Sequence, residues 1–406
     1  MIESPLILEH EAEAKRQPVE KDSLKEAQRP GADSGLAESR LELEYLPWGG
    51  EETDPEERCL ILATCGWVEL EYAAMRRGCG LLDQPNRGTL SIQGQDRRGF
   101  IDCMITQDLK LLTSGSACRS FMTDRKGRVI ADLQLLELPE EILIDLDIHQ
   151  LKSVQSLLEG LVFTEDVVIE DATTRWYRLG IHGPETAAII DAFGTMPESH
   201  LEVHTVDVSG VPVHAVRNDA VAAPGCDLFV SRDDVVQTWS SIRKQASIRG
   251  VRARTVGWYA YNTARIEGGS PIFNVDFGTS NLPHETSLVE ERVSFTKGCY
   301  PGQEVVARMQ HLGQPKQRLR GLKIQGEQLP VAGTQIFASE DGDLAEPVGV
   351  VTSSTISPLA GAAPIAFAML KKRVAAEGTT VRMHAEGDVC EAIVGDLDLN
   401  GMARKG

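Results

Sequence analysis

Aromatic residues are scarce in this sequence, at 5%, and no apolar run approaches the roughly 18 residues that a membrane-spanning helix needs. The opening MIESPLILEHEAEAKRQPVEKD has neither the basic region nor the apolar stretch of a secretory signal, and it is too acidic for a mitochondrial presequence. The eight cysteines include no C-x-x-C pair and no Cys/His cluster at zinc spacing, which argues against a disulfide framework or a structural zinc. Basic residues are also in deficit, 41 Lys and Arg against 60 Asp and Glu for a net charge of −19. A broad grip on nucleic-acid phosphates needs clustered cations, so that class is excluded. The expectation is a cytoplasmic protein, in a reduced compartment, with no membrane and no direct nucleic-acid partner.

What is present fits a soluble, multi-domain chain. With 42% hydrophobic and 25% charged residues, 406 residues are enough for two or three cores. The charge is uneven: Met1 to Glu57 holds 16 acidic and 6 basic residues. Few large apolar side chains offset the entropy of ordering there, so residues 1–57 read as a disordered acidic tail, solvated or partner-binding.

From Leu60 the texture alternates. Glu69 to Asp83 carries apolar residues at helical spacing with glycine near its end. A short strand, a turn at Gly94 and a helix from Gln95 follow. Two strands flank the turn Asp124-Arg125-Lys126-Gly127, where glycine supplies a positive φ. Further strands and helices mix without regular β-then-α alternation, which gives the class α+β. After Pro315, short alternating strands separated by Gly, Pro and Asp predict a small all-β barrel or sandwich. The expected layout is two interleaved α+β modules over 58–314 and the β-barrel over 315–406.

Reactive residue types concentrate in VSFTKGCYPGQEVVARMQHLGQPKQRLR, Val293 to Arg320. Cys299 lies between glycine and tyrosine and beside Pro301-Gly302, so its thiol is expected on a turn. Lys297 two residues before it and Arg308 nine after it supply positive charge that favours a thiolate. GQEVVARM reads as the opening of a helix, whose first N–H groups favour an anion beside Gln303 and Glu304. The plain alternative is a buried cysteine acting as a small hydrophobe.

The string KGCYPGQE resembles the signature of the YgfZ/GcvT-like folate-binding family. ARIEGGSPIFNVDF, from Ala264, is similar to that family's R-x-E-x-G-x-P element, which it shares with the T-protein of the glycine cleavage system. NLPHET, VGVVTSSTISPLAGAAPIAFAML and LSIQGQDRRGFIDCMITQDLKLL agree with other family segments, so the resemblance spans about Leu60 to Asp398. It implies a GcvT-like ring of modules with mixed or antiparallel sheets and a C-terminal barrel, around a channel that binds tetrahydrofolate. It also implies service to iron–sulfur client enzymes, including those that modify tRNA.

On that resemblance Cys299 and Lys297 are the candidate catalytic pair, with lysine holding the thiolate charged. Tyr300, Gln303, Glu304, Arg308, Arg265, Glu267 and Asp132 are candidates for the folate site. Each has a structural alternative: core packing for Tyr300, a buried ion pair for Arg265 and Glu267, a strand-end residue for Asp132. Lys316, Arg318 and Arg320 read either as anchors for an anionic tail or as outward charges on a strand. The chain also departs from the T-protein. Ala131 stands where one of two paired acids is expected, and Ala223 stands at the pterin-contacting glutamate of the folate clamp. Losing that acceptor costs roughly 1.5 to 3 kcal/mol of binding, which disfavours aminomethyl transfer and leaves three readings: an iron–sulfur accessory protein, a folate-dependent aminomethyltransferase of glycine cleavage, and a non-catalytic folate-binding scaffold.

Overall fold

The computed structural model describes residues 3–16, 43–50, 58–339 and 346–398. Among these residues two sheets and a barrel carry the architecture. The first sheet has five strands in the order Ala117–Thr123, Val129–Glu137, Ile142–Asp147, Arg87–Gln93 and Val168–Asp171, with every neighbouring pair antiparallel. The expected hairpin is its edge: Gly127 has φ +74°, and Asp124 Oδ1 accepts from the backbone N–H of Lys126 and Arg128 at 2.8 Å. Leu90, Ile92, Leu133, Leu135, Ile142, Ile144 and Leu146 fill the core beneath it.

The second sheet has six strands, Val203–Val208, Val211–Arg217, Gly225–Ser231, Trp176–His182, Cys79–Asp83 and Ala253–Val256. Only its last pair is parallel. The predicted helix over 69–83 is in fact a helix, Val68–Arg77, followed by the buried strand Cys79–Asp83. Gly78 ends the helix, and short apolar runs such as CGLLD fit strand and helix alike by periodicity. The class α+β holds, and the C-terminal region is a closed barrel of six strands between Gln317 and Gly395.

The helix Trp258–Glu267 joins these parts. Arg265, wholly buried, pairs with Asp276 at 2.5 Å and donates to Ser353 Oγ of the barrel at 2.7 Å. Glu267 accepts from Tyr72 at 2.7 Å and from the backbone N–H of Leu359 at 3.1 Å. Such buried pairs fix a unique arrangement more than they add net stability.

The acidic N-terminal stretch departs from the expected tail wherever it is described. Ile7–Arg16 is a helix, and Glu44–Trp48 is a strand antiparallel to Cys59–Thr64. Composition averaged over 57 residues hides a local pattern: Leu6, His10 and Glu13 recur at helical spacing and are all buried. The parts of that expectation at 1–2, 17–42 and 51–57 lie outside the described residues.

Candidate functional site

Three adjoining cavities lie where the two sheets meet. The inner one, about 100 Å³, is walled by Arg87, Arg119, Asp132, Gln134, Arg178 and Asn218, with Tyr261 and Arg292 from the connecting segment. It shares Arg87, Arg178, Tyr261 and Ile272 with a neck that also touches Asp83 and Gln84. The neck shares Ile61 and Trp258 with an outer cavity of about 590 Å³ bounded by Trp48, Asp147 and His149. No barrel residue lines these three cavities, so the channel runs between two modules with the barrel bracing the helix behind it.

A polar network spans the inner cavity from sheet to sheet. Arg292 donates to both oxygens of Asp132, Nε at 2.7 Å and Nη2 at 3.3 Å, and also pairs with Glu291. Arg119 reaches Glu291 at 3.4 Å and donates to Gln134 at 3.2 Å. Across the gap, Arg178 pairs with Asp227 at 2.6 Å and with Asp145, which also holds Arg87 at 2.6 Å. Burial opposes charge on Asp227, yet Arg178 and neighbouring cations outweigh it and hold its carboxyl below the usual range. Burial likewise opposes charge on Arg178 and Arg292, and their carboxylate partners outweigh it and keep both guanidinium groups ionised.

Several polar atoms in this network lack a hydrogen-bond partner among the described residues: Asp227 Oδ1, Asn218 Oδ1 and Arg178 Nε. Two acceptors and a donor are thus buried together beside a cavity whose wall includes Asn218 and Arg178. Asp227 ends the stretch Val221–Asp227 in which Ala223 marks the missing glutamate, so a carboxylate is supplied to this region after all.

Of the residues singled out from sequence, only Asp132 lines the inner cavity. Cys299 is exposed on its bend, as the turn residues predict, but borders none of the cavities. Lys297 turns away from the thiol. Its ammonium is buried and donates to the carbonyls of Asp102 at 2.5 Å, Ile105 at 2.9 Å and Gln107 at 2.7 Å. Burial lowers its pKa against the pull of Asp102. It is a tethered cation that ties the signature bend to the 102–107 segment, because three converging carbonyls bind an ammonium better than one exposed thiol does.

Tyr300 is packed with Phe121, Phe273, Phe277 and Val306, and burial pushes its hydroxyl up to about 12; it presents no face to the channel. Gln303 donates to the Gly298 carbonyl at 3.2 Å and shapes the bend, while Glu304 and Arg308 are exposed on the helix Gln303–Leu312. Arg265 forms the structural ion pair with Asp276 described above, and Glu267 pairs with Arg76 at 2.5 Å. Of the basic trio, Arg320 is held by Asp396 and by the Ala375 carbonyl at 2.8 Å, whereas Lys316 and Arg318 are exposed. Sequence reasoning missed Arg87, Arg119, Arg178, Asn218, Asp227 and Arg292. Four of them lie inside strands, Asn218 just after one and Arg292 at the end of the helix Val289–Arg292; each looks like an ordinary outward-facing polar residue, and only the apposition of two sheets makes them inward.

The family profile described as the GCVT N-terminal domain matches residues 63–297, and that described as the glycine cleavage T-protein C-terminal barrel domain matches residues 317–398. A protein of Corynebacterium jeikeium named aminomethyltransferase is 25% identical over 342 residues, covering 78% of this chain and 86% of its own. One of the same name from Geobacillus kaustophilus is 26% identical, covering 79% and 86%. The crystal structure of the glycine cleavage system aminomethyltransferase T from Bartonella henselae superposes with a TM-score of 0.76 at 19% identity, covering 88% of this chain and 94% of that one. Among the described residues no helix is long and apolar enough to cross a membrane.

Proposed function

This chain belongs to the family of the GCVT N-terminal domain and the glycine cleavage T-protein C-terminal barrel domain, and from that membership we propose that its channel binds tetrahydrofolate for an aminomethyltransferase-like transfer. The observation that carries the reading is the polar network of the inner cavity, where Asp132 and Asp227 face one another's sheets on paired arginines. Asp227, Asn218 and Arg178 would hold the ring edge with their unpartnered atoms, and Asp132 would hold or move a proton at its carboxylate. When bound, tetrahydrofolate supplies the nitrogen atoms that accept a one-carbon unit. Arg178 holds the Asp227 carboxyl below the usual range against its burial, and Tyr261 and Ile272 help exclude water from the neck.

The names of the relatives support this reading over the iron–sulfur one. The Ala131 and Ala223 departures, which weigh against transfer, are offset in part by the buried carboxylate of Asp227. Calorimetric titration with tetrahydrofolate, paired with an assay of aminomethyl transfer from a lipoyl-bound donor, is the direct test. Binding with transfer supports the proposal, binding without transfer leaves a folate scaffold, and no binding removes it.

A second reading, an accessory role for iron–sulfur enzymes including those that modify tRNA, is favoured by one observation: the Cys299 thiol is exposed on a bend well outside the channel. A Cys299→Ala chain separates the two. The transfer reading expects unchanged folate binding and turnover, whereas the accessory reading expects client enzyme activity in cells to fall.

A further inference from the structure

The helix Ile7–Arg16 precedes the start of the family match at residue 63, yet it is built into the core. Leu6 is fully buried against the six-stranded sheet. Glu13 accepts from the backbone N–H of Thr255 at 3.2 Å and pairs with Arg243. Between them His10 is fully buried, with its ring edge-on to Trp239 at 6.1 Å. Its Nδ1 lies 3.0 Å from the Tyr45 hydroxyl, and its Nε2 faces Asp83 Oδ2 at 3.6 Å.

Asp83 connects this helix to the channel. The Tyr177 hydroxyl donates to Asp83 Oδ1 at 2.6 Å, so one oxygen is fixed from the sheet side. The other, Oδ2, faces His10 Nε2 at 3.6 Å and has no hydrogen-bond partner among the described residues. The same residue forms part of the wall of the neck beside Gln84 and Arg87. An aspartate fixed at one oxygen by a hydroxyl, with a buried ring facing the other, is a directed acceptor at the wall of a channel, whereas an unsupported one would turn toward whichever cation lies nearest.

We propose that the N-terminal helix is a clasp and that His10 is a positioning residue, holding the Asp83 carboxylate in the neck as an acceptor for the donor groups of the ligand. The inference deepens the tetrahydrofolate reading and rests on it for the ligand's identity, but the clasp itself is a relationship within the chain. It assigns a role to a segment that lies outside both family matches.

The experiment compares the full chain with His10→Leu and His10→Gln, using calorimetry with tetrahydrofolate and hydrogen exchange across the protein. The Leu variant should bind about tenfold more weakly, the loss expected for one hydrogen-bonded charged contact, with exchange raised in Cys79–Asp83 and unchanged in the barrel. The Gln variant, whose amide N–H replaces that of Nε2, should stay within about threefold of the parent. Equal affinities for all three chains would overturn the proposal, as would equal losses in both variants with exchange raised throughout the six-stranded sheet. If His10→Leu does not fold, Tyr177→Phe removes the other hold on Asp83: weaker binding upholds the directed carboxylate and unchanged binding overturns it. If the parent chain fails to bind tetrahydrofolate, the folate reading alone is lost, and protection of Cys79–Asp83 in the variants still decides the clasp.

Discussion

Asp132 and Arg292 are 160 residues apart in sequence and 2.7 Å apart in space, and their pair stands at the wall of the inner cavity. Arg292 is almost wholly buried while Asp132 keeps some exposure, so the carboxylate is the partner that a ligand can reach. Asp132→Asn retains an acceptor for Arg292 and removes the charge. Tetrahydrofolate affinity should fall about tenfold with the fold intact. Calorimetry with a circular-dichroism control measures both; undiminished affinity in a folded variant would remove Asp132 from the site.

Lys297 and Cys299 should separate cleanly by stability. Lys297→Met strands three carbonyls in a buried place, at a cost of about 3 kcal/mol. Cys299→Ser changes an exposed side chain and should stay within about 0.5 kcal/mol of the parent. Denaturant unfolding of the two variants checks this, and the reverse order would mean that the ammonium is not the anchor of the bend.

The second glycine of the signature is a backbone requirement. Gly302 has φ +82°, and an added Cβ would lie 2.3 Å from the Asp124 carbonyl and 2.7 Å from Gly127 Cα. Two turns, Asp124–Gly127 and Pro301–Gly302, therefore touch main chain to main chain. Gly302→Ala should lower stability by more than about 2 kcal/mol, read from the unfolding midpoint, and a neutral result would contradict this contact.

Acid sensitivity follows from buried histidines. Burial lowers the pKa of His10, His182, His214 and His284 below their unfolded value near 6.5. The unfolded chain therefore binds more protons than the folded one below that value, so stability is present above it and is lost as pH falls toward the folded values. Each such group contributes up to about 1.4 kcal/mol per pH unit in that window. The slope of unfolding free energy between pH 6.5 and pH 5 should flatten in His182→Gln by one group's share; an unchanged slope would show that His182 binds protons equally in the folded and unfolded states.

Local chemistry made much of the fold legible. The Asp124–Gly127 turn, the bend at Cys299, the following helix and the barrel strands are short-range patterns, and each appears where the residues predict. Periodicity was less decisive at CGLLD, where helix and strand bury an apolar run equally well. The acidic N-terminus misled because average charge conceals three inward positions, Leu6 just before the helix and His10 and Glu13 within it.

The sequence by itself determined most element types, the α+β class, the family resemblance and the exposed turn of Cys299, since these depend on residues within a few positions of one another. Only the tertiary structure decided that Lys297 serves carbonyls instead of the thiol, that Tyr300 is core, and that Arg178, Arg292 and Asp132 share one cavity with Asp227 buried behind Arg178. The reason is that a charge is defined by its partner. When the partner lies on another strand or another sheet, no spacing along the chain records the meeting.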